Sequence, residues 1–67
     1  MYVAYDESDG IIWGLGASPE ATREDAKRWI AKGDPGGMVE VSDLKIEAVT
    51  FAQAQRVEFG DCHWPLK

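Results

Sequence analysis

Cys62-His63 is the only adjacent pair in this chain with nucleophile-and-base chemistry. If these residues lie in a strand, their side chains point to opposite faces and cannot share the hydrogen bond that a catalytic couple needs. The expectation is a buried thiol beside a surface imidazole. Asp61, Cys62 and His63 are metal-ligand types, but no second cluster elsewhere completes a site, so no metal is expected. Gly14-Leu15-Gly16-Ala17-Ser18 precedes a helix start and invites a phosphate-loop interpretation. It lacks both the G-x-G-x-x-G spacing and the Gly-Lys-Ser/Thr ending, so close packing and helix capping are expected instead, with no cofactor.

Carboxylates are the more informative group. Asp6, Glu7 and Asp9 crowd one turn, and residues 34–47 add Asp34, Glu40, Asp43 and Glu47 against Lys45 alone. The first 22 residues hold no Lys or Arg, whereas Arg23, Lys27, Arg28 and Lys32 collect on one predicted helix. Such segregation can steer a protein onto a cationic partner. Asp6, Glu7, Asp9, Glu40, Asp43 and Glu47 are therefore the expected partner-binding residues. The expected partner is a basic nucleic-acid-binding protein or complex, not nucleic acid itself.

The elements that position these groups can be read from periodicity. Tyr2-Val3-Ala4-Tyr5 favours a strand, Asp9-Gly10 signals a turn, and Ile11 to Gly16 returns, giving a hairpin over residues 2–16. Strict alternation places Ile11, Trp13 and Leu15 on one face, with Gly14 and Gly16 on the other, where a helix can approach closely. Ser18-Pro19 starts a helix over 19–32, with Thr22, Ala26, Trp29, Ile30 and Gly33 on one stripe and Glu24–Arg28 as an i,i+4 pair. Gly33 is expected to end it as a left-handed cap, and Pro35 to prevent it restarting. Met38–Val41 is a possible short strand, and Leu44–Val49 alternates as a half-buried one. The segment after Thr50 admits two readings. One is a helix over 51–58, with Thr50-Phe51-Ala52-Gln53 as a capping box and Gly60 closing its end, which two alanines and two glutamines favour. The other is a strand with Phe51, Val57 and Phe59 on one face beside Gln53 and Gln55. Cys62-His63-Trp64 is a plausible last strand. The order β-β-α-β(-β)-α-β predicts an α+β fold, a small antiparallel sheet with one or two helices on one face.

The chain has 67 residues and a net charge of −5, which predicts a single compact domain over 1–67. One cysteine excludes an internal disulfide. No membrane span or leader is expected, and the expected setting is cytoplasmic. The seven aromatics are expected to be mostly core, since a small domain without disulfides leans on them. A substrate cleft of roughly 300–1,000 Å³ is hard to build at this size, so the chain is not expected to be an enzyme. A monomer or weak dimer is expected.

Residues 2–31 resemble the ββα core of HicB-like antitoxins. The likeness lies in the Tyr2–Tyr5 strand, the Asp9-Gly10 turn, the second strand ending near Gly16, and Ser18-Pro19-Glu20-Ala21 leading into a helix with Asp25-Ala26. It implies an antitoxin or regulatory partner-binding domain, its contacts made by apolar anchors such as Trp13, Trp29 or Trp64. HicB-like proteins commonly carry a further C-terminal DNA-binding module, and residues 34–67 offer no such unit, so operator binding is not implied. By size, acidity and lack of catalytic parts, the chain also resembles phage anti-CRISPR inhibitors as a class. That likeness implies a non-enzymatic inhibitor whose carboxylates replace phosphates on the nucleic-acid-binding surface of a CRISPR surveillance complex.

Overall fold

A computed structural model describes residues 1–34 and 36–66. Strands β1 (Tyr2–Tyr5) and β2 (Ile12–Gly16) form the expected hairpin, and helix α1 (Pro19–Gly33) follows. A short 3-10 turn (Val41–Asp43) leads into β3 (Lys45–Ala48), and α2 (Phe51–Glu58) closes the order of elements. The sheet is antiparallel with order β2-β1-β3, so β1 is central. The α+β class holds, with the hairpin, helix, strand and second helix in the expected sequence.

The hairpin register explains how the core divides. Tyr2 lies opposite Gly16, Val3 opposite Leu15 and Ala4 opposite Gly14, but Tyr5 lies opposite Ile12. Trp13 is therefore an extra residue, a β-bulge that resets the alternation. Ile12 joins Val3, Tyr5 and Leu15 in one apolar cluster, while Trp13 packs in the other with Ala4, Ala26 and Leu44. Strict alternation had set Trp13 beside Leu15; the bulge separates them.

Helix α1 covers the Ala4 face because the glycines allow it. A Cβ on Gly14 would sit 2.5 Å from the Thr22 carbonyl oxygen, and one on Gly16 would sit 2.7 Å from the Thr22 amide nitrogen. Only a residue without a side chain lets helix and strand backbones meet this closely. Ser18 caps the helix by accepting from the Ala21 N–H at 3.1 Å. Thr22 is fully buried, and its hydroxyl donates to the Ser18 carbonyl at 2.7 Å. The helix passes through Gly33, whose φ is not positive, to a cap at Asp34. Gly33 serves close packing, since a Cβ there would lie 3.1 Å from the Trp13 ring. The stop assigned to Pro35 lies outside the described residues. Glu24 and Arg28 do not pair with each other: Lys27 bonds Glu24 at 3.1 Å and Arg28 bonds Asp25 at 3.0 Å.

The expected single helical face holds for α1 alone. Helix α2 lies against the other cluster, where Val57 packs with Val3, Tyr5, Ile12 and Leu66. Its capping box is complete: the Gln53 N–H donates to the Thr50 hydroxyl at 3.1 Å, and the Thr50 N–H donates to the Gln53 side chain at 2.9 Å. Met38–Val41 forms no strand. The Val39 N–H is held by the Asp34 carboxylate, and β3 already occupies the free side of β1. The last expected strand reduces to one bridge, Ile11 to His63, flanked by Ile12 N–H to Cys62 O at 2.7 Å and Trp64 N–H to Gly10 O at 2.6 Å. Tyr5 stacks on Trp64 with ring centroids 5.0 Å apart. The aromatics are less internal than expected: Trp29, Phe51 and Phe59 are exposed.

Candidate functional site

The hairpin tip and the start of β3 lie at the same end of the sheet, because Tyr5 pairs with both Ile12 and Lys45. Beyond Tyr5 the chain turns through Asp6–Gly10, and immediately before Lys45 stand Leu44 and Asp43. This topology gathers the two acidic stretches that are far apart in sequence. Glu47 lies opposite Val3, on the Tyr5 face of the sheet. Burial pushes the Tyr5 phenol up from its ordinary value, the Glu47 and Glu7 charges add to the rise, and an interaction with Trp64 opposes it. Two carboxylates 40 residues apart in sequence, 47 − 7, thus act on one phenol.

The six expected contact residues fall into two groups. Asp6 and Asp9 build the turn. Ser8 donates to the Asp6 carboxylate from its hydroxyl at 2.7 Å and its amide at 2.9 Å, and the Ile11 N–H donates to Asp9 at 2.9 Å. The Ser8 hydroxyl first, then its amide, hold the Asp6 carboxyl below the usual carboxylate range. Gly10 completes the turn at φ +74°, a left-handed conformation that glycine adopts without a Cβ clash. Glu7, Glu40, Asp43 and Glu47 are exposed and make no side-chain hydrogen bond or ion pair among the described residues. Glu40 precedes the 3-10 turn and caps it with no side-chain bond. The ion pairs that do form, Lys27–Glu24, Arg28–Asp25 and Arg56–Asp61, use other acids. Lys32 lies 5.4 Å from the centroid of the Trp29 ring.

His63 is exposed as expected, whereas Cys62, expected to be buried, is half-buried against the Val3 cluster. No group of three or more His, Cys, Asp or Glu side chains among the described residues could hold a metal ion. No helix among them is long and apolar enough to cross a membrane.

Trp13 and Trp29, two of the apolar anchors considered from the sequence, line a groove that the sequence does not show. This open groove of ≈ 790 Å³ runs along the outer side of β2 between α1 and α2, lined by Trp13, Leu15, Trp29, Gly33, Val57 and Cys62, among others. At this size a substrate cleft is expected to be hard to build, and the space found here is an open groove rather than an enclosed cavity. The bulge at Trp13 and the placement of α2 on the far face make the space, and neither is encoded by simple alternation. Trp29 is 55% exposed at its wall. The Trp13 ring N–H is buried there with no partner among the described residues.

Set against family models, curated proteins and solved structures, the chain matches none.

Proposed function

We propose that this chain is a non-enzymatic binding protein whose acidic sheet end docks on a cationic, phosphate-binding surface of a partner and denies that surface to nucleic acid. The anti-CRISPR-like action expected of the class is one instance, with a cytoplasmic nucleic-acid-handling complex as target. The supporting observation is that Glu7 and Asp43 lie at the Tyr5 end of the sheet while Glu47, opposite Val3, acts on the same Tyr5 phenol as Glu7, with Glu40 one turn upstream and none of the four ion-paired among the described residues. Carboxylates free of internal cations carry their full charge to a partner, and exposed charges of one sign raise association rates with a surface of the opposite sign. Lys27 and Arg28 pair along their own helix, whereas exposed Lys45 stands between Asp43 and Glu47 opposite Tyr5 and offsets one of these charges.

Glu7→Gln/Glu40→Gln/Asp43→Asn tests the proposal without touching the turn bonds of Asp6 and Asp9. Partners captured from a host lysate are challenged with duplex DNA and with structured RNA. The wild-type chain is expected to suppress the partner's nucleic-acid binding, and the triple variant to need at least about tenfold more protein for the same effect, a difference of about 1.4 kcal/mol. Equal inhibition by the two proteins overturns the proposal.

A second role is favoured by a separate observation, the exposed Trp29 on the wall of an apolar groove. An antitoxin-like or regulatory domain would bind through such an anchor, because tryptophan is enriched where binding energy concentrates. Binding by that route would be insensitive to salt and lost in Trp29→Ala.

A further inference from the structure

The two edges of the sheet are finished differently. The Val49 N–H donates to the Met1 carbonyl at 2.9 Å, so Met1 and Val49 are a hydrogen-bonded antiparallel pair. Hydrogen-bonded and non-bonded pairs alternate along an antiparallel ladder. Val3–Glu47 and Tyr5–Lys45 therefore turn their backbone groups toward each other, and Ile46 and Ala48 turn theirs outward. On β2, the corresponding outward groups are covered. The Leu15 N–H is held by the Asp25 carboxylate at 3.0 Å, the Ile12 N–H by the Cys62 carbonyl, and the bulge at Trp13 distorts what lies between. Bulges and covering contacts are how proteins close an edge against strand addition. On β3, no group among the described residues bonds the outward amides of Ile46 and Ala48, while the Leu44 N–H is bonded to the Val41 carbonyl. One edge is sealed and the other is open.

We infer that β3 is a self-association edge, and that its occupant is the β3 of a second copy, antiparallel about a two-fold axis at Ile46. Charge complementarity selects this occupant and register. With Ile46 facing its own counterpart, Lys45 of each chain stands opposite Glu47 of the other, and both side chains are exposed. Opposite charges directly across an antiparallel pair are favourable, and like charges are not. A parallel arrangement in register would set Lys45 against Lys45 and Glu47 against Glu47. In the antiparallel register the Ile46 N–H and C=O bond reciprocally across the axis. The Ala48 N–H of each chain meets the Leu44 carbonyl of the other. Ile46, only half-buried in the single chain, is covered on its outer side. The pair of sheets becomes one continuous six-stranded sheet, since each copy contributes three strands. With only four residues in β3, the contact is small and the dimer is weak. Glu7 and Asp43 remain outside the seam while Glu47 lies within it, so only Glu47 is shared with the proposed docking surface, and the inference does not rest on the proposed function.

Sedimentation equilibrium of the full chain alone, over a wide concentration range, tests it. The wild type is expected to show a reversible monomer–dimer equilibrium. Lys45→Glu sets Glu against Glu, and Glu47→Lys sets Lys against Lys, so each single variant is expected to weaken association at least about tenfold. The double variant Lys45→Glu/Glu47→Lys restores opposite charges and is expected to return to near the wild-type constant. Unchanged far-ultraviolet circular dichroism in each variant verifies the fold. Monomer at every concentration, single variants that associate as well as the wild type, or a double variant without rescue each overturns the inference.

Discussion

Tyr5 joins the packing and the charge of this protein in one side chain. It is buried, stacks on Trp64, and lies near Glu7 and Glu47. Burial disfavours the phenolate, and two nearby negative charges disfavour it further. One of the two tyrosines is thus expected to titrate above the ordinary value of 10.0. Glu47→Gln should bring that titration down toward the ordinary value, as followed by ultraviolet difference absorbance. A titration unmoved by the substitution would separate Glu47 from the Tyr5 surface. The sign for stability follows directly. The folded state keeps the Tyr5 proton to higher pH than the unfolded chain, so folding stability is unaffected below the ordinary tyrosine range. It falls as pH rises from that range through the raised value. Asp6 works in the opposite direction. Its carboxyl is held low by Ser8, so its contribution is present above the unfolded value of about 3.9 and is lost as pH falls through the folded one.

Among the elements, the contact between α1 and the glycine side of β2 is the tightest constraint. Gly14→Ala forces a methyl to within 2.5 Å of a helix carbonyl and 2.8 Å of the Ala26 amide nitrogen, neither of which can yield without moving α1. Overpacking of this kind costs about 1–3 kcal/mol. Gly36→Ala, with nothing within 4 Å and no positive φ, is the matched control and should change stability little. Denaturant unfolding of the two variants checks this, and equal stability would contradict the close approach. This contact was readable in the sequence, since alternating glycines in a strand before a Ser-Pro helix start leave room for a backbone and little else. Helix α1 was equally readable, from a capping serine and helical spacing, whereas 51–58 could be read as helix or strand and the capping box at Thr50 decides for the helix. Three features were not. The bulge at Trp13 leaves no mark in the pattern of large and small residues, yet it decides which face Ile12 and Trp13 occupy. The side taken by α2 depends on how Val57 and Leu66 meet the sheet, a tertiary choice that local propensity does not express. The groove follows from both. The acidic residues were identified from composition, but their gathering at one end required the β1–β3 pairing, which joins segments 40 residues apart in the chain, 45 − 5.

Taken whole, the molecule carries a net negative charge and two sheet edges that are finished differently. Its net charge is −5, yet the cations on α1 are partly neutralised by Glu24 and Asp25 on the same helix, whereas the carboxylates at the sheet end face outward unpaired among the described residues. A partner that presents arginines or lysines meets charge at the sheet end and apolar surface at the groove. Screening separates the two, because interactions between exposed charges weaken over a Debye length of about 8 Å at physiological ionic strength, while apolar contacts do not. An amide-resolved NMR titration with a short oligo-arginine peptide, at low and at physiological salt, compares the two surfaces in one experiment. Salt-sensitive shifts centred on Glu7–Asp9 and Asp43–Glu47 are predicted. Shifts centred on Trp13, Trp29 and Val57 that persist at high salt, with the sheet end unmoved, would contradict the account.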